Sequence, residues 1–354
     1  MDADIAVIGG GLVGLITAKV LALQGYHVLV FIGEHPSGAV ENRSFGLTQG
    51  SLRRLEDLGI PLDHSTGPVI EAINLFDEQH HVLSMHAENF GVSVLGINMP
   101  YKNLYEQLST PHPKIRLCAV AIKHLEKERA DWICVDSEGT RWKVPFVIGA
   151  DGRSSCVRES LKINFSYYHQ FIQKAHVCLF KCSPVQKPTH AIQWSLDNQL
   201  IGILPYAEDM RYVVCTTPAD SVNWREIATK SSPLLGPIQE ILPQGLYPLY
   251  SYHVSRQTDR AALLLGLAAK SFHPAAALGL NQSIYEIALF NELVKNKMML
   301  ANNWQPIFES LIKKRSDKIR YLTSALATPW SRKLIWNFPM PSSVVRKKLI
   351  ELIL

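Results

Sequence analysis

The sequence lacks most of what would tie it to a metal, an oxidising compartment or a bilayer. Its six cysteines, at 118, 134, 156, 178, 182 and 215 of 354 residues, form no CxxC pair. That spacing argues against a zinc site or disulfide framework and for a reduced, cytoplasmic setting. Cys178 and Cys182, four apart in an expected strand, read as buried thiols on one face. The N-terminus does not read as a signal peptide, because Asp2 and Asp4 stand where a basic region belongs. The uncharged run 5–18 is too short to span a membrane, and no longer run follows. Internal repeats and low-complexity segments are absent too. Net positive charge comes only late: residues 311–354 carry ten Lys/Arg against two Asp/Glu, leaving the first 310 at about −3 of the net +5. Without a basic face in its body the chain is not expected to bind nucleic acid. A hydrophobic content of 47% and a charged content of 19% fit an ordered globular chain of one large or two smaller domains.

What is present begins at Ile5-Ala6-Val7-Ile8, a short apolar run expected to be a buried parallel strand, followed by Gly9-Gly10-Gly11-Leu12-Val13-Gly14 and an apolar helix over 12–21. Gly9, Gly11 and Gly14 have the G-x-G-x-x-G spacing of a dinucleotide turn. The first glycine allows the tight turn, the second lets backbone approach a pyrophosphate, and the third lets helix and strand pack. A second strand is expected over 28–32, a hairpin over 69–85 interrupted at 77–79, and strands over 115–120, 132–135 and 141–144. Two further short buried strands end in motifs: Val147-Ile148-Gly149-Ala150-Asp151-Gly152-Arg153, and Leu263-Leu264-Leu265-Gly266-Leu267-Ala268-Ala269 running on to His273-Pro274 and Gly279-Leu280-Asn281. Residues 175–216 read as strand-rich, 220–242 as mainly helical with breaks at Pro233 and Pro237, and 247–254 as strand.

Three glycine-bearing segments in this order resemble the FAD-dependent aromatic hydroxylases, the para-hydroxybenzoate hydroxylase-like flavoprotein monooxygenases, and within them the ubiquinone-biosynthesis hydroxylases. The similarity runs from residue 1 to about 325 and includes Gly202-Ile203-Leu204-Pro205 and Tyr247-Pro248-Leu249. It implies an α/β fold in which a discontinuous Rossmann-like FAD-binding domain (1–71, 99–170 and 257–302) carries an inserted β-sheet substrate domain (72–98 and 171–256). A basic helical C-terminal segment (303–354) completes it. It also implies that Gly9, Gly11, Gly14, Arg43, Asp151, Gly152 and Gly266 hold FAD, and that His273, Pro274, Gly279, Leu280 and Asn281 lie next to the flavin. No acid or base is assigned, and no metal. The implied chemistry is reduction of FAD by NAD(P)H, capture of O2 as a flavin hydroperoxide, and transfer of hydroxyl to an aromatic, polyprenylated quinone precursor.

The departures from the family pattern are polar positions gone apolar. The acidic residue expected at the end of the second strand is Ile32, with Glu34 two residues on. The aspartate expected after Gly266 is Leu267, glycine-glutamine-glycine reads Ala277-Leu278-Gly279, and the polar residue opening the helix near 104 is Tyr101. Losing two carboxylate contacts weakens FAD by about 3–6 kcal/mol, on the order of 10² to 10⁴ in affinity. The alternative is therefore a weakly FAD-binding, non-catalytic member serving as a lipid-binding accessory subunit of a quinone-synthesis assembly.

Several residues keep two readings. Asp151 is either a cofactor contact or a helix cap, and His273-Pro274 either borders flavin or only shapes a loop. Trp194 and Tyr206 either line a substrate pocket or fill the core, while His80 and His81 are expected in a solvated turn. In the tail, Val345, Leu349, Leu352 and Ile353 share a helical face beside Arg346, Lys347 and Lys348. Such a helix either lies on the anionic inner face of the cytoplasmic membrane or docks on the protein itself.

Overall fold

The computed structural model describes residues 3–33, 43–78, 80–183, 187–196, 198–296 and 304–327. The tail reading at 344–354 and Glu34 lie outside them.

The centre is a six-stranded sheet in the order Thr258–Asp259, Ala262–Leu264, Phe146–Gly149, Ile5–Ile8, Val28–Phe31, Ile115–Cys118. All its pairings are parallel except that of the short first strand. Strands 5–8, 28–31 and 146–149 are buried at every position. A sheet covered on both faces needs apolar side chains on both, so these runs do not alternate in polarity. Ile5, Val7, Val28 and Val30 pack with helices Leu12–Leu23 and Gly279–Lys295 on one side. Ala6, Ile8, Leu29 and Phe31 pack on the other with Leu125, Trp132, Cys134 and Val144 of the antiparallel sheet 122–128, 131–136, 141–144. Helix Trp304–Ala327 closes the helical side through Trp304 and Phe308, whose rings lie within 6.3 Å of Phe290.

A second, eight-stranded sheet runs in the order 270–271, 238–254, 165–182, 210–217, 199–207, 190–196, 72–77, 80–86. Helix Trp224–Leu235 covers one face through Phe180, Ile201, Ile203, Val213 and Ile227. The other face carries Val177, Leu179, Leu204, Tyr206, Tyr212 and Tyr247. That face meets a three-stranded sheet, Ser44–Thr48, Gly96–Pro100 and Val69–Ile70, which links the two halves.

Local readings change in four places. Residues 238–242 are strand, because Gly236 (φ +91°) ends the preceding helix and Pro237 prevents its resumption. Pro233 sits inside the last turn of that helix and does not break it. Ile122–Glu128 is an unanticipated strand, and His80 and His81 open a strand rather than lying in a turn. Trp194 and Tyr206 are on opposite faces of the large sheet: Trp194 is core beneath the helix, and Tyr206 faces the cleft. All six cysteines are free thiols. Among the described residues no helix is long and apolar enough to cross a membrane, and no cluster of metal-ligating side chains forms.

Candidate functional site

The glycine turn is dictated by close backbone approach. Gly9 has φ +116°, and a Cβ there would sit 2.3 Å from the Ala150 carbonyl oxygen. A Cβ on Gly14 would sit 1.9 Å from the Gly9 oxygen, a distance no methyl can occupy. A Cβ on Gly11, by contrast, would meet nothing within 4 Å, so this residue faces open space. Helix Leu12–Leu23 starts there with no side-chain cap and no acidic residue in its first turn. Its first backbone N–H groups are thus available to an anion.

The second motif is stitched to the first. Ile8 pairs with Gly149, and the Ala150 N–H donates to the Ile8 carbonyl at 2.7 Å. Gly152 (φ +82°) faces open space. Asp151 does cap the following helix, accepting from the Val157 N–H at 3.2 Å through Oδ2, while its buried Oδ1 has no partner. The cap reading of Asp151 therefore holds through Oδ2, and Oδ1 is left for another donor. Burial, then the Asp151 charge, pushes the Cys156 thiol pKa up, so Cys156 is no nucleophile. Arg158, which sequence reasoning missed, ties this loop to the third motif: it donates to the Ala268 carbonyl at 3.1 Å and the Arg153 carbonyl at 2.8 Å.

The third motif arrives beside the first two. The Leu265 N–H donates to the Gly149 carbonyl at 2.9 Å, and Gly266 turns at φ +59° against Val13. Leu267 is 50% exposed, and its carbonyl accepts from the Tyr252 hydroxyl at 2.6 Å. Ile32 lies directly over Gly10, where a Cβ would meet it at 2.4 Å. Ile32 thus packs against the glycine turn, and Leu267 stays open to solvent.

At the far end, helix Gly279–Lys295 begins uncapped, without an acidic first turn, and Gly279 faces open space. Asn281 serves as a clamp: its Nδ2 donates to the Gly46 and Ala277 carbonyls, both at 2.8 Å, and its Oδ1 accepts from the Thr48 N–H at 2.9 Å. Leu280 packs at the edge of the helical core. Ala277 holds φ +50°, a left-handed conformation that costs any non-glycine residue about 1 kcal/mol or more. His273 is 1% exposed, precedes Pro274, accepts from the Ala275 N–H at 3.2 Å, and meets the Phe171 ring edge-on at 4.8 Å. Phe171 reaches it because the long strand is irregular between Gln170 and Lys174. The same irregularity leaves Ile172 85% exposed.

Above this end stands the aromatic face of the large sheet. Tyr206 and Tyr212 stack at 6.0 Å, and Arg43 lies 5.8 Å from both the Phe45 and Tyr247 ring centroids. Arg43 Nε is buried without a partner, as is Asn98 Oδ1, whose Nδ2 donates to the Pro205 carbonyl at 2.7 Å. Burial drives the Tyr212 pKa up to about 12, so its phenol stays neutral. Tyr101 is buried at the start of its helix and stacks on Tyr105.

The arrangement fits a long molecule with phosphates at one end and a planar, electron-accepting group at the other. Two uncapped helix starts, glycines with open space above them and orphan polar atoms on Asp151 and Arg43 match such a group. Ile32 and Leu267 do not hydrogen-bond it. The comparisons agree. The profile of the FAD binding domain matches residues 2–293. Ubiquinone hydroxylase UbiL of Rhodospirillum rubrum is 26% identical over 310 residues, covering 82% of this chain and 72% of its own. Kynurenine 3-monooxygenase of Drosophila willistoni is 25% identical over 336 residues, covering 82% and 72%. Among solved structures, 2-methyl-3-hydroxypyridine-5-carboxylic acid oxygenase superposes with a TM-score of 0.76 at 17% identity, covering 97% of this chain and 96% of that one.

Proposed function

The chain belongs to the FAD-binding-domain family and is an FAD-dependent monooxygenase, and on that premise we propose that it hydroxylates an aromatic ring bearing an apolar polyprenyl chain. This is a quinone precursor of ubiquinone biosynthesis, with NAD(P)H as reductant. The observation that carries the reading is the wall above the flavin end. Val177, Leu179, Leu204, Tyr206, Tyr212 and Tyr247 make it apolar and aromatic, with the Tyr206 and Tyr212 rings nearly parallel. Such a wall suits a flat ring with a hydrocarbon substituent.

Gly9, Gly11, Gly14 and the start of helix Leu12–Leu23 would hold the pyrophosphate. Asp151 Oδ1 and Gly152 would hold the middle of the cofactor, with Gly266 setting the turn beside it. Arg43, His273, Pro274 and the helix start at Gly279-Leu280-Asn281 would border the flavin. When bound, FAD supplies two-electron transfer from the reductant and activation of O2 for hydroxyl transfer to the ring. The chain's own part is positional. The uncapped start of helix Gly279–Lys295 favours negative charge beside it. The Asn281 clamp keeps that start against strand Ser44–Thr48, and the aromatic wall excludes water from the reacting ring. Asp151 and Arg43 bind rather than move protons.

The test is reconstitution with FAD and NADPH, then turnover of a short-chain polyprenylphenol in detergent under ¹⁸O2. A product carrying one labelled oxygen is expected. NADPH oxidation without labelled product, or turnover of kynurenine in its place, would overturn the substrate. A colourless protein that ignores FAD would replace catalysis with the accessory, lipid-binding role, a reading favoured by Leu267 and Ile32.

A further inference from the structure

Away from the groove, on the helix-covered face of the large sheet, a cavity of about 280 Å³ opens between the hairpin 72–86 and the end of helix Trp224–Leu235. One wall is a hydrogen-bonded chain. His81 Nε2 lies 2.7 Å from Ser84 Oγ, Ser84 Oγ donates to Asn74 Oδ1 at 2.5 Å, and Asn74 Nδ2 lies 3.0 Å from His190 Nδ1. Asn74 is buried and bonded through both its amide nitrogen and its oxygen, so this chain fixes the wall. With the amide donating, His190 Nδ1 accepts and the neutral ring carries its proton on Nε2. Lys187, exposed at the rim, makes no ion pair among the described residues.

The rest of the lining is apolar: Phe76 and Ile192, on the same strands as Asn74 and His190, and Leu234 and Leu235 from the helix. Arg211 adds a positive charge to this face. Arg211 alternates with the core residues Val213 and Cys215, so it lies on the same face, 1% exposed, with Nε and Nη2 unpartnered. The nearby carboxylate, Glu71, accepts from Thr189 at 2.7 Å. The volume sits at the lower limit of small-molecule sites, roughly 300 Å³, and excludes a dinucleotide or a polyprenyl quinone.

We infer that this cavity binds a small carboxylic acid with an apolar body, its carboxylate on His190 and Lys187 and its hydrocarbon against Phe76, Ile192, Leu234 and Leu235. Inorganic phosphate would leave the apolar wall bare, and an amine would face the lysine. The site lies on the reverse of the sheet from the aromatic wall and does not depend on the flavin reaction.

Sodium hexanoate is the probe, titrated into the full chain by calorimetry, with hexanol and hexylamine as controls for the charge. Saturable hexanoate binding is expected, with both controls at least about tenfold weaker. Lys187→Gln and His190→Gln should each weaken hexanoate about tenfold, while Lys143→Gln, an exposed lysine on the other sheet, should not. Equal binding of the three probes, absence of saturation, or full affinity in both cavity variants would overturn the inference. Lys187 is exposed, so its variant keeps the test valid even if His190→Gln misfolds.

Discussion

The two ends of the groove are made by different means. At the 9–14 end the shape is backbone against backbone: Gly9 against Ala150, Gly14 against Gly9, and no ionisable side chain from 5 to 14. At the 266–281 end it is side chains that build the site, through Arg158, Tyr252, Asn281 and the buried Lys270–Glu286 pair at 2.6 Å. The backbone end retains every glycine it requires. The departures from the family pattern fall at both ends, Ile32 over Gly10 at the first and Leu267 and Ala277 at the second. A steric constraint admits no substitute without refolding, whereas one hydrogen bond among many to a large cofactor can be lost and the rest retained.

The sharpest way to break this contrast is at the backbone end. Gly14→Ala places a methyl 1.9 Å from the Gly9 oxygen, so strand and helix must separate. A loss of about 4 kcal/mol or more is expected, read as a shifted urea midpoint or as insoluble protein. Gly11→Ala meets nothing within 4 Å, and should fold with an unchanged midpoint yet bind FAD at least about tenfold more weakly. If both variants behave alike, Gly11 does not face the cofactor.

Acid should break the other end first. Burial, then Lys270 and Arg320, lowers the His253 pKa from 6.5 to about 4, partly opposed by Asp317. His253 pairs with Lys270 across the strands and meets Phe272 edge-on at 5.3 Å. Below pH 6.5 the unfolded chain takes up a proton that the folded ring refuses until about pH 4. Stability is therefore complete above 6.5 and falls as pH drops towards 4, by about 2 kcal/mol at pH 5. Urea unfolding at pH 7 and 5 should show this loss, and His253→Gln should remove most of it. An undiminished loss in the variant would place the sensitive group elsewhere.

Much of this was legible in the chain because steric demands are written into residue identity. Only glycine fits at 9 and 14, and only two-faced burial explains uninterrupted apolar strands. What stayed hidden depends on partners far along the chain. Asn281 reaches Gly46 and Thr48 across more than two hundred residues, and nothing local marks it as a clamp. Phe171 touches His273 through an irregularity in strand register, which periodicity does not record. Strand Ile122–Glu128 has few buried positions and many charges, so its pattern resembles a loop. For Trp194 and Tyr206 the sequence tells which neighbours share a face, but not which face meets the cleft.

The smallest expected effects are also the most direct repairs of the contrast. At 267 the backbone is already in place: Gly266 makes the turn, Tyr252 holds the Leu267 carbonyl, and Arg158 ties Ala268 to the Asp151 loop. Only the carboxylate is wanting, and Leu267→Asp supplies it at a half-exposed position that costs little to charge. Solvent screening keeps the new hydrogen bond at the low end of the charged range, about 1.5 kcal/mol, or roughly tenfold in FAD affinity. Fluorescence titration with FAD should resolve that change, with Leu267→Asn recovering less because it brings no charge. Ile32→Glu, facing Gly10 in tighter surroundings, should add less than Leu267→Asp does. If Leu267→Asp folds and leaves the affinity unchanged, the 266–268 turn does not touch the cofactor, and the side-chain end of the groove must be drawn elsewhere.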